Sequence, residues 1–377
     1  MVVEDILRNI LYRLPIQDLD NCKFVNKEYH SLITDPEFKD DKRRVMGDNA
    51  ILSTYAYDQA HFEVYGLRCD GAKQELTSPL EDDPNANPPM VLGSCNGLIG
   101  IKYYQLDYML WNPVTQECLT YEGGAPTLLI DPTAVGLCYD ASSDEYMAVV
   151  VGTIRCYSAI APCIELINFS TNDSKCVNWQ TGNVAFDLNG VGTVVCGVPH
   201  WVKEYDNDNV DDLWDRKWVF FFDTKNETFN EMNLPGQVGK EEKRILGLGA
   251  LNRQSQLGIV LRDMKNPNLS YDVWVMKEYG NLESWTYLCN IPSINVRSHY
   301  EYLNLIGLKP REIWVHHTLS FAETEELKLM TYDIAEQLTK DVGVSRNKGT
   351  VVNVTSYEPS FVSPLHLKLL CKTVSSY

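Results

Sequence analysis

The chain has 377 residues, 44% of them hydrophobic and 22% charged, with 51 acidic against 33 basic side chains for a net charge of −18. That length supports a large core, and that sign of charge excludes a phosphate-backbone binder, which needs the opposite one. Residues 1–48 carry eight Lys/Arg and ten Asp/Glu, so −16 belongs to the remainder, where it suits solubility or a basic protein partner. The eleven cysteines include no C-x-x-C pair, and Cys156 and Cys163 lack zinc-finger spacing. Free thiols in a reduced compartment, cytoplasmic or nuclear, are therefore expected, with no metal and no other cofactor. No apolar run approaches the roughly 18 residues that span a bilayer. The charged start through Glu4, Asp5 and Arg8 is expected not to be a secretory leader, leaving the N-x-S/T sequons at Asn168, Asn172, Asn226, Asn268 and Asn353 unused.

From the N-terminus, Ile6, Ile10 and Leu14 recur every four residues with Leu7 and Leu11 beside them. This predicts a helix of about three turns with a wide apolar stripe. Pro15 cannot sit inside that helix but suits the first turn of the next, whose short apolar edge is Leu19 and Cys22. A third helix is expected to carry Phe24, Val25, Tyr29, Leu32 and Ile33, and to stop near Asp35 because the residue before Pro36 resists the α region. Three short helices in about forty residues bury too little surface to stand alone. The candidate docking residues are thus Ile6, Ile10, Leu14, Pro15, Ile16, Leu19, Val25, Tyr29, Leu32 and Ile33. A cap packed on the rest of the chain is the alternative.

After about Asp48 the periodicity changes to short β-branched or alternating runs, such as 147–151, 218–222 and 272–276, punctuated by turn clusters. The turn starts fall at Asn112, Phe169, Asp223, Met276 and Asp333, with intervals of 57, 54, 53 and 57 residues. Units of about four strands at such a period predict a β-propeller. One interval before Asn112 lies a half-blade at 52–65, and residues 351–355 and 365–370 could complete it. The result is six blades, five continuous and one shared by both ends of the domain, which removes exposed strand edges. An irregular pair of β-sandwiches is the alternative.

The order Leu14-Pro15, Leu19, Phe24-Val25-Asn26-Lys27, Leu32-Ile33-Thr34-Asp35-Pro36-Glu37-Phe38 resembles an F-box. Asn26 and Tyr29 stand where that family usually has Cys and Trp, and Val2-Val3 where it opens with Leu-Pro. The stretches 91–99, 110–115, 197–201 and 222–229, and above all 272–280 with 283–286, resemble the kelch-like F-box-associated domain of plants. In this part Gly93 and Gly97 would allow close turns, while Trp201, Trp274 and Trp285 are large enough to fill gaps between blades. The resemblance implies two domains: an F-box at 1–44 and a substrate-recognition β-propeller at 50–377. It also implies a non-catalytic receptor of an SCF-type ubiquitin ligase, whose partners are a Skp-type adaptor, through it a cullin–RING ligase, and an unknown protein substrate. Nucleic acid and membrane are not expected partners.

Motifs that carry chemistry read weakly. Gly93-Ser94-Cys95-Asn96-Gly97 mimics a nucleophile elbow, but strand follows it where an elbow needs a helix. Gly247-Leu248-Gly249 lacks the third glycine of a dinucleotide loop. The stretch 206–211 lacks a complete set of calcium ligands and reads as a solvated acidic insertion; Asp206, Asp208, Asp211 and Asp212 are the substrate-contact candidates. His316 and His317 on one strand would face opposite sides. Two other functions stand beside the receptor: a propeller enzyme acting on a glycan, for which Asp131 and Asp140 are examples of acidic residues, and a scaffold with a vestigial F-box.

Overall fold

In the computed structural model the described residues are 2–14, 16–35, 38, 49–56, 61–68, 73–76, 79–80, 89–103, 107–122, 129–156, 159–177, 188, 190–203, 218–234, 243–263, 270–292, 300–308, 312–321, 324–341 and 350–367. The N-terminal helices are α1 (Val2–Arg13), α2 (Ile16–Cys22) and α3 (Lys27–Thr34). Leu11, Leu19, Leu32, Ile33 and Phe38 close a small core between them. The helix α3 starts at Lys27 because the Asn26 side chain caps it, accepting the Tyr29 N–H at 2.8 Å. Phe24 and Val25 therefore lie in the turn before the helix, a correction to their expected place on it. Asp35 ends α3 and accepts the Phe38 N–H at 3.0 Å, and Arg8 of α1 reaches to 3.6 Å from its carboxylate. The Asp-Pro-x-Phe sequence thus folds the chain back on the module's own core.

From Asn49 onward the named elements are strands, apart from a 3-10 turn at Leu282–Ser284. β1 (Asn49–Ala56), β2 (His61–Arg68) and β3 (Lys73–Leu76) begin a first sheet. β4 (Met90–Cys95), β5 (Leu98–Tyr103), β6 (Asp107–Trp111) and β7 (Cys118–Thr120) form the second. The third is β8 (Leu129–Asp140), β9 (Glu145–Cys156), β10 (Ala159–Asn168) and β11 (Asp173–Val177), with β12 (Gly190–Val191) parallel to β8. The fourth is β13 (Thr193–Val195), β14 (Val198–Val202), β15 (Val219–Asp223) and β16 (Thr228–Met232). Two further antiparallel quartets follow. They are β17 (Lys243–Leu251), β18 (Gln256–Asp263), β19 (Tyr271–Met276) and β20 (Trp285–Ile291), then β21 (Tyr300–Leu308), β22 (Glu312–Phe321), β23 (Thr324–Asp333) and β24 (Leu338–Asp341). One parallel pairing, Gly249 with Leu305, joins them into a single sheet.

The last strand, β25 (Thr350–Tyr357), returns to the beginning of the domain. It pairs antiparallel with β1, Asn49 opposite Tyr357 and Ala56 opposite Thr350. Residues 351–355 thus supply a strand to the first sheet, as their pattern suggests. Residues 365–367 do not: they run from a turn into a helical start, with Leu367 buried in another core. The remaining 368–370 fall outside the described residues.

The first strands of successive sheets touch in order: β25 against β4, β4 against β8, β8 against β13, β13 against β17, β17 against β21, and β21 against β25. Apolar clusters fill the gaps between neighbouring sheets. Trp201 lies in the cluster between the third and fourth, Trp274 and Trp285 in that between the fourth and β17–β20. Glycine sets the tightest approach. A Cβ at Gly247 or Gly249 would collide with the carbonyls of Leu303 and Leu305 on β21. Cys163 on β10 and Cys176 on β11 are joined across the strand pair, one disulfide where free thiols were expected.

Candidate interaction surfaces

The helical module divides its apolar residues between a core and an open face. Leu19, Leu32 and Ile33, of the expected docking set, are buried at 0, 7 and 0% exposure and hold the helices together. Leu14 and Tyr29 are half-buried against the same core. Ile6 (55% exposed), Ile10 (53%), Phe24 (84%) and Val25 (65%) are left facing outward. Pro15 lies outside the described residues, and of Ile16 only the backbone, in α2, is described. Phe24, absent from the sequence-derived docking set, is the most exposed of these. The signal that could have found it is Asn26: a capping residue there ends the turn and starts α3 one residue later.

A second well-defined surface lies at one end of the β domain. Hairpins Asn96-Gly97 and Cys196-Gly197 have both central residues at positive φ, 52° and 80°, then 51° and 79°, as a two-residue type I′ turn requires. Gly93–Gly97 is therefore a strand leading into a hairpin. Cys95 is buried in β4, and the Asn96 amide donates to the Tyr146 hydroxyl at 3.0 Å. Gln254, in the β17–β18 turn, donates to the carbonyls of Ser94 (2.9 Å) and Ser356 (3.1 Å). Its own carbonyl accepts the Cys196 N–H at 2.7 Å. These bonds gather the hairpins of three sheets and the end of β25 at one place.

The third-to-fourth strand turns share one construction. Asn112, Asn168, Asp223 and Asp333 each accept N–H groups two and three residues ahead through Oδ1. The residue four ahead (Gln116, Asn172, Glu227 or Gln337) is left-handed, with φ from 53° to 61°. The turn expected at Phe169 begins one residue earlier, and β19 ends at Met276 in a different, Asn281-capped turn.

His200 on β14 is fully buried, its Nδ1 3.2 Å from the Thr193 carbonyl and its Nε2 3.0 Å from the Tyr279 hydroxyl. A carbonyl can only accept, so Nδ1 carries the proton and Nε2 accepts from Tyr279. Burial pulls the His200 pKa down to about 4, against the raising effect of backbone hydrogen bonds at Thr193 and Val198. The ring is a neutral pin between sheets, with both nitrogens occupied. Burial also pushes the Cys196 thiol up, away from the reactive thiolate. Asp140 is spent on a turn, accepting the Ser142 N–H at 2.8 Å and hydroxyl at 2.7 Å, while the side chain of Asp131 lies outside the described residues. Asp206, Asp208, Asp211 and Asp212 lie outside them too, as do the side chains of His316 and His317. The strands flanking the acidic segment, β14 and β15, meet it at Val202 and Val219, away from the Cys196-Gly197 hairpin. Among the described residues no helix is long and apolar enough to cross a membrane.

Residues 3–41 match the F-box domain family. The chain is 24% identical over 328 residues to the F-box protein CPR1 of Arabidopsis thaliana, covering 79% of this chain and 75% of that protein. It is 23% identical over 311 residues to an F-box/kelch-repeat protein of the same plant, covering 77% and 79%. A further Arabidopsis F-box protein matches at 23% over 379 residues, covering 90% and 85%. Among solved structures, "Structure of YjhT" aligns at 11% identity over 68% of this chain and 84% of that one, with a TM-score of 0.39. The N-terminal module is an F-box domain followed by an all-β domain. Over most of its length the chain is similar to F-box proteins of Arabidopsis thaliana.

Proposed function

We propose that this protein is the substrate-recognition subunit of a Skp–cullin–F-box ubiquitin ligase. It would have an F-box at 1–44 that docks on a Skp-type adaptor and an F-box-associated domain at 50–377 that holds a protein substrate for ubiquitination and degradation. The observation that carries this reading is the set of outward apolar side chains Ile6, Ile10, Phe24 and Val25 on a module whose other described apolar residues are packed against its core. Burying a side chain of that size is worth roughly 1.5–3 kcal/mol, so four supply much of a micromolar interface. The chain's own part in ubiquitin transfer is proximity: it raises the effective concentration of substrate at the charged carrier. The ligase's location would be cytoplasmic or nuclear.

We infer that the β domain is a six-bladed propeller closed by β25 beside β1–β3. The unbroken order of first-strand contacts supports it, as do six quartets of strands. Antiparallel quartets send their first-to-second and third-to-fourth turns to one end, here the end with Asn96, Cys196 and Gln254. The second-to-third connections, including the acidic segment 204–217, leave from the other. That opposite mouth is the proposed substrate surface, with Asp206, Asp208, Asp211 and Asp212 as contact candidates for a basic patch. A glycan-cleaving enzyme is the weaker reading, since Asp140 is occupied as a turn cap.

The test is adaptor binding by full-length protein carrying Ile6→Asp and Ile10→Asp together. Both side chains are more than half exposed, so the fold should keep its melting temperature while a Skp-type adaptor is no longer retained. Undiminished binding would overturn the receptor reading.

A further inference from the structure

The segment that follows β25 carries an observation that adaptor docking leaves unused. Residues 358–367 leave the first sheet and cross to the second, and successive side chains enter two different cores. Phe361 packs against the helical core of Leu11, Leu19, Leu32, Ile33 and Phe38, and Lys23 places its ammonium 4.4 Å from the centre of the Phe361 ring. The next residue, Val362, packs on the cluster between the second and third sheets, and Leu367 is buried in it.

The backbone between them is clamped from the β side. Asn112, fully buried, donates through one amide nitrogen to the carbonyls of Ser360 (3.0 Å) and Val362 (2.6 Å). The Ser360 hydroxyl donates to the Asn96 carbonyl at 2.6 Å and accepts the Val362 N–H at 3.2 Å. Gly97 makes room for it, because a Cβ there would collide with the Ser360 side chain and the Glu358 carbonyl.

We propose that residues 358–367 are a strut that fixes the F-box on the β domain as one rigid body, with Phe361 as its positioning residue. The strut joins the two units in space, between the last strand of the domain and the core of the F-box. A ligand-free ring–cation contact together with apolar burial resists both sliding and rotation of the module. For a receptor, the direction in which a bound substrate points would then be set by the chain itself. The coupling does not depend on that reading and can fail or hold independently of adaptor binding.

The test uses the full chain with spin labels on noncanonical residues at the exposed positions 28 and 231, since cysteine labelling would also reach Cys196. In the wild type, pulsed dipolar spectroscopy should give one narrow distance distribution. Phe361→Ala should broaden it at least twofold and speed hydrogen exchange of the α2 and α3 amides about tenfold, with the melting of the β domain unchanged. Lys23→Ala, made on the F-box side of the contact, should broaden it in the same direction and less. A distribution that stays equally narrow in both variants would overturn the strut. So would broadening in Phe361→Ala that appears only together with loss of β-domain melting while Lys23→Ala stays narrow, because the contact would then serve folding and not positioning.

Discussion

Whether a turn begins with Asn or Asp follows from what surrounds its second side-chain atom. All four repeated caps use Oδ1 on backbone N–H groups. At position 112 the other atom must donate, to the Ser360 and Val362 carbonyls, and at 168 it donates to Glu145 at 3.1 Å. At 223 the second oxygen instead accepts from the Asn226 amide at 2.7 Å. There burial raises the Asp223 pKa, but the Asn226 side chain and the N–H groups of Asn226 and Lys225 outweigh it and hold the carboxyl below the ordinary range. Asn112→Asp should accordingly cost about 2–4 kcal/mol in urea unfolding, since it faces two buried carbonyls with an acceptor. Asp223→Asn, in a partly exposed turn, should cost less than about 1 kcal/mol; equal losses would refute this account. His200 gives a second residue-scale expectation. Its folded pKa near 4 lies below the ordinary 6.5, so between those values the unfolded chain binds the extra proton and stability rises with pH. Acidification from pH 6.5 to 4 should remove up to roughly 3 kcal/mol through this ring, and His200→Gln should flatten that part of the stability profile. Parallel profiles for the two proteins would show that the ring titrates in the fold.

At the scale of elements, glycine at the β17–β21 contact is the sharpest constraint. Gly249→Val would force a side chain onto the Leu305 backbone, and a shift of the whole quartet should cost more than about 2 kcal/mol; a denaturation midpoint unchanged from wild type would contradict that packing. Much of the element pattern was legible in the chain: strand runs at 147–151 and 272–276 fall in β9 and β19, all but the first residue of the run at 218–222 falls in β15, and turns at Asn112, Asp223 and Asp333 start where their caps are. The errors have physical sources. Phe24 and Val25 fit a helical spacing, but the Asn26 cap at the turn outweighed it. Residues 365–370 alternate like a strand, yet the first sheet already takes β25, and the chain before them is held by Asn112. Which apolar side chains of the helices face outward was only partly readable, because burial inside a three-helix module separates Leu19, Leu32 and Ile33 from Ile6 and Ile10, and periodicity alone does not. The strut left no signal of its own: Ser360 and Phe361 make their contacts across some 250 and 340 residues of sequence.

For the whole molecule, the decisive bond is the one between its two ends. In the proposed ring of sheets each first strand has a neighbour on both sides, so deleting one would open two gaps at once. Residues 1–348 lack β25 and the strut, leaving the edge of β1 unpaired from Asn49 to Ala56 and the core of Tyr357 with Trp111 and Ile99 unfilled. An exposed edge of that length is a template for association. This fragment should lose the single cooperative transition of the full chain and aggregate at temperatures where the intact protein is folded. A peptide spanning 349–367, added in excess, should restore the transition in proportion to RT ln(1 + [L]/Kd), because it binds only the folded domain. The peptide with Asn353→Pro and Val354→Pro should restore nothing, because adjacent residues on a strand send their N–H groups to opposite sides and one of the two prolines must therefore remove a bond of the β1 ladder. If residues 1–348 alone melt as sharply and at the same temperature as the full chain, β25 closes nothing, and the sheets must be stacked as separate sandwiches instead of arranged around an axis.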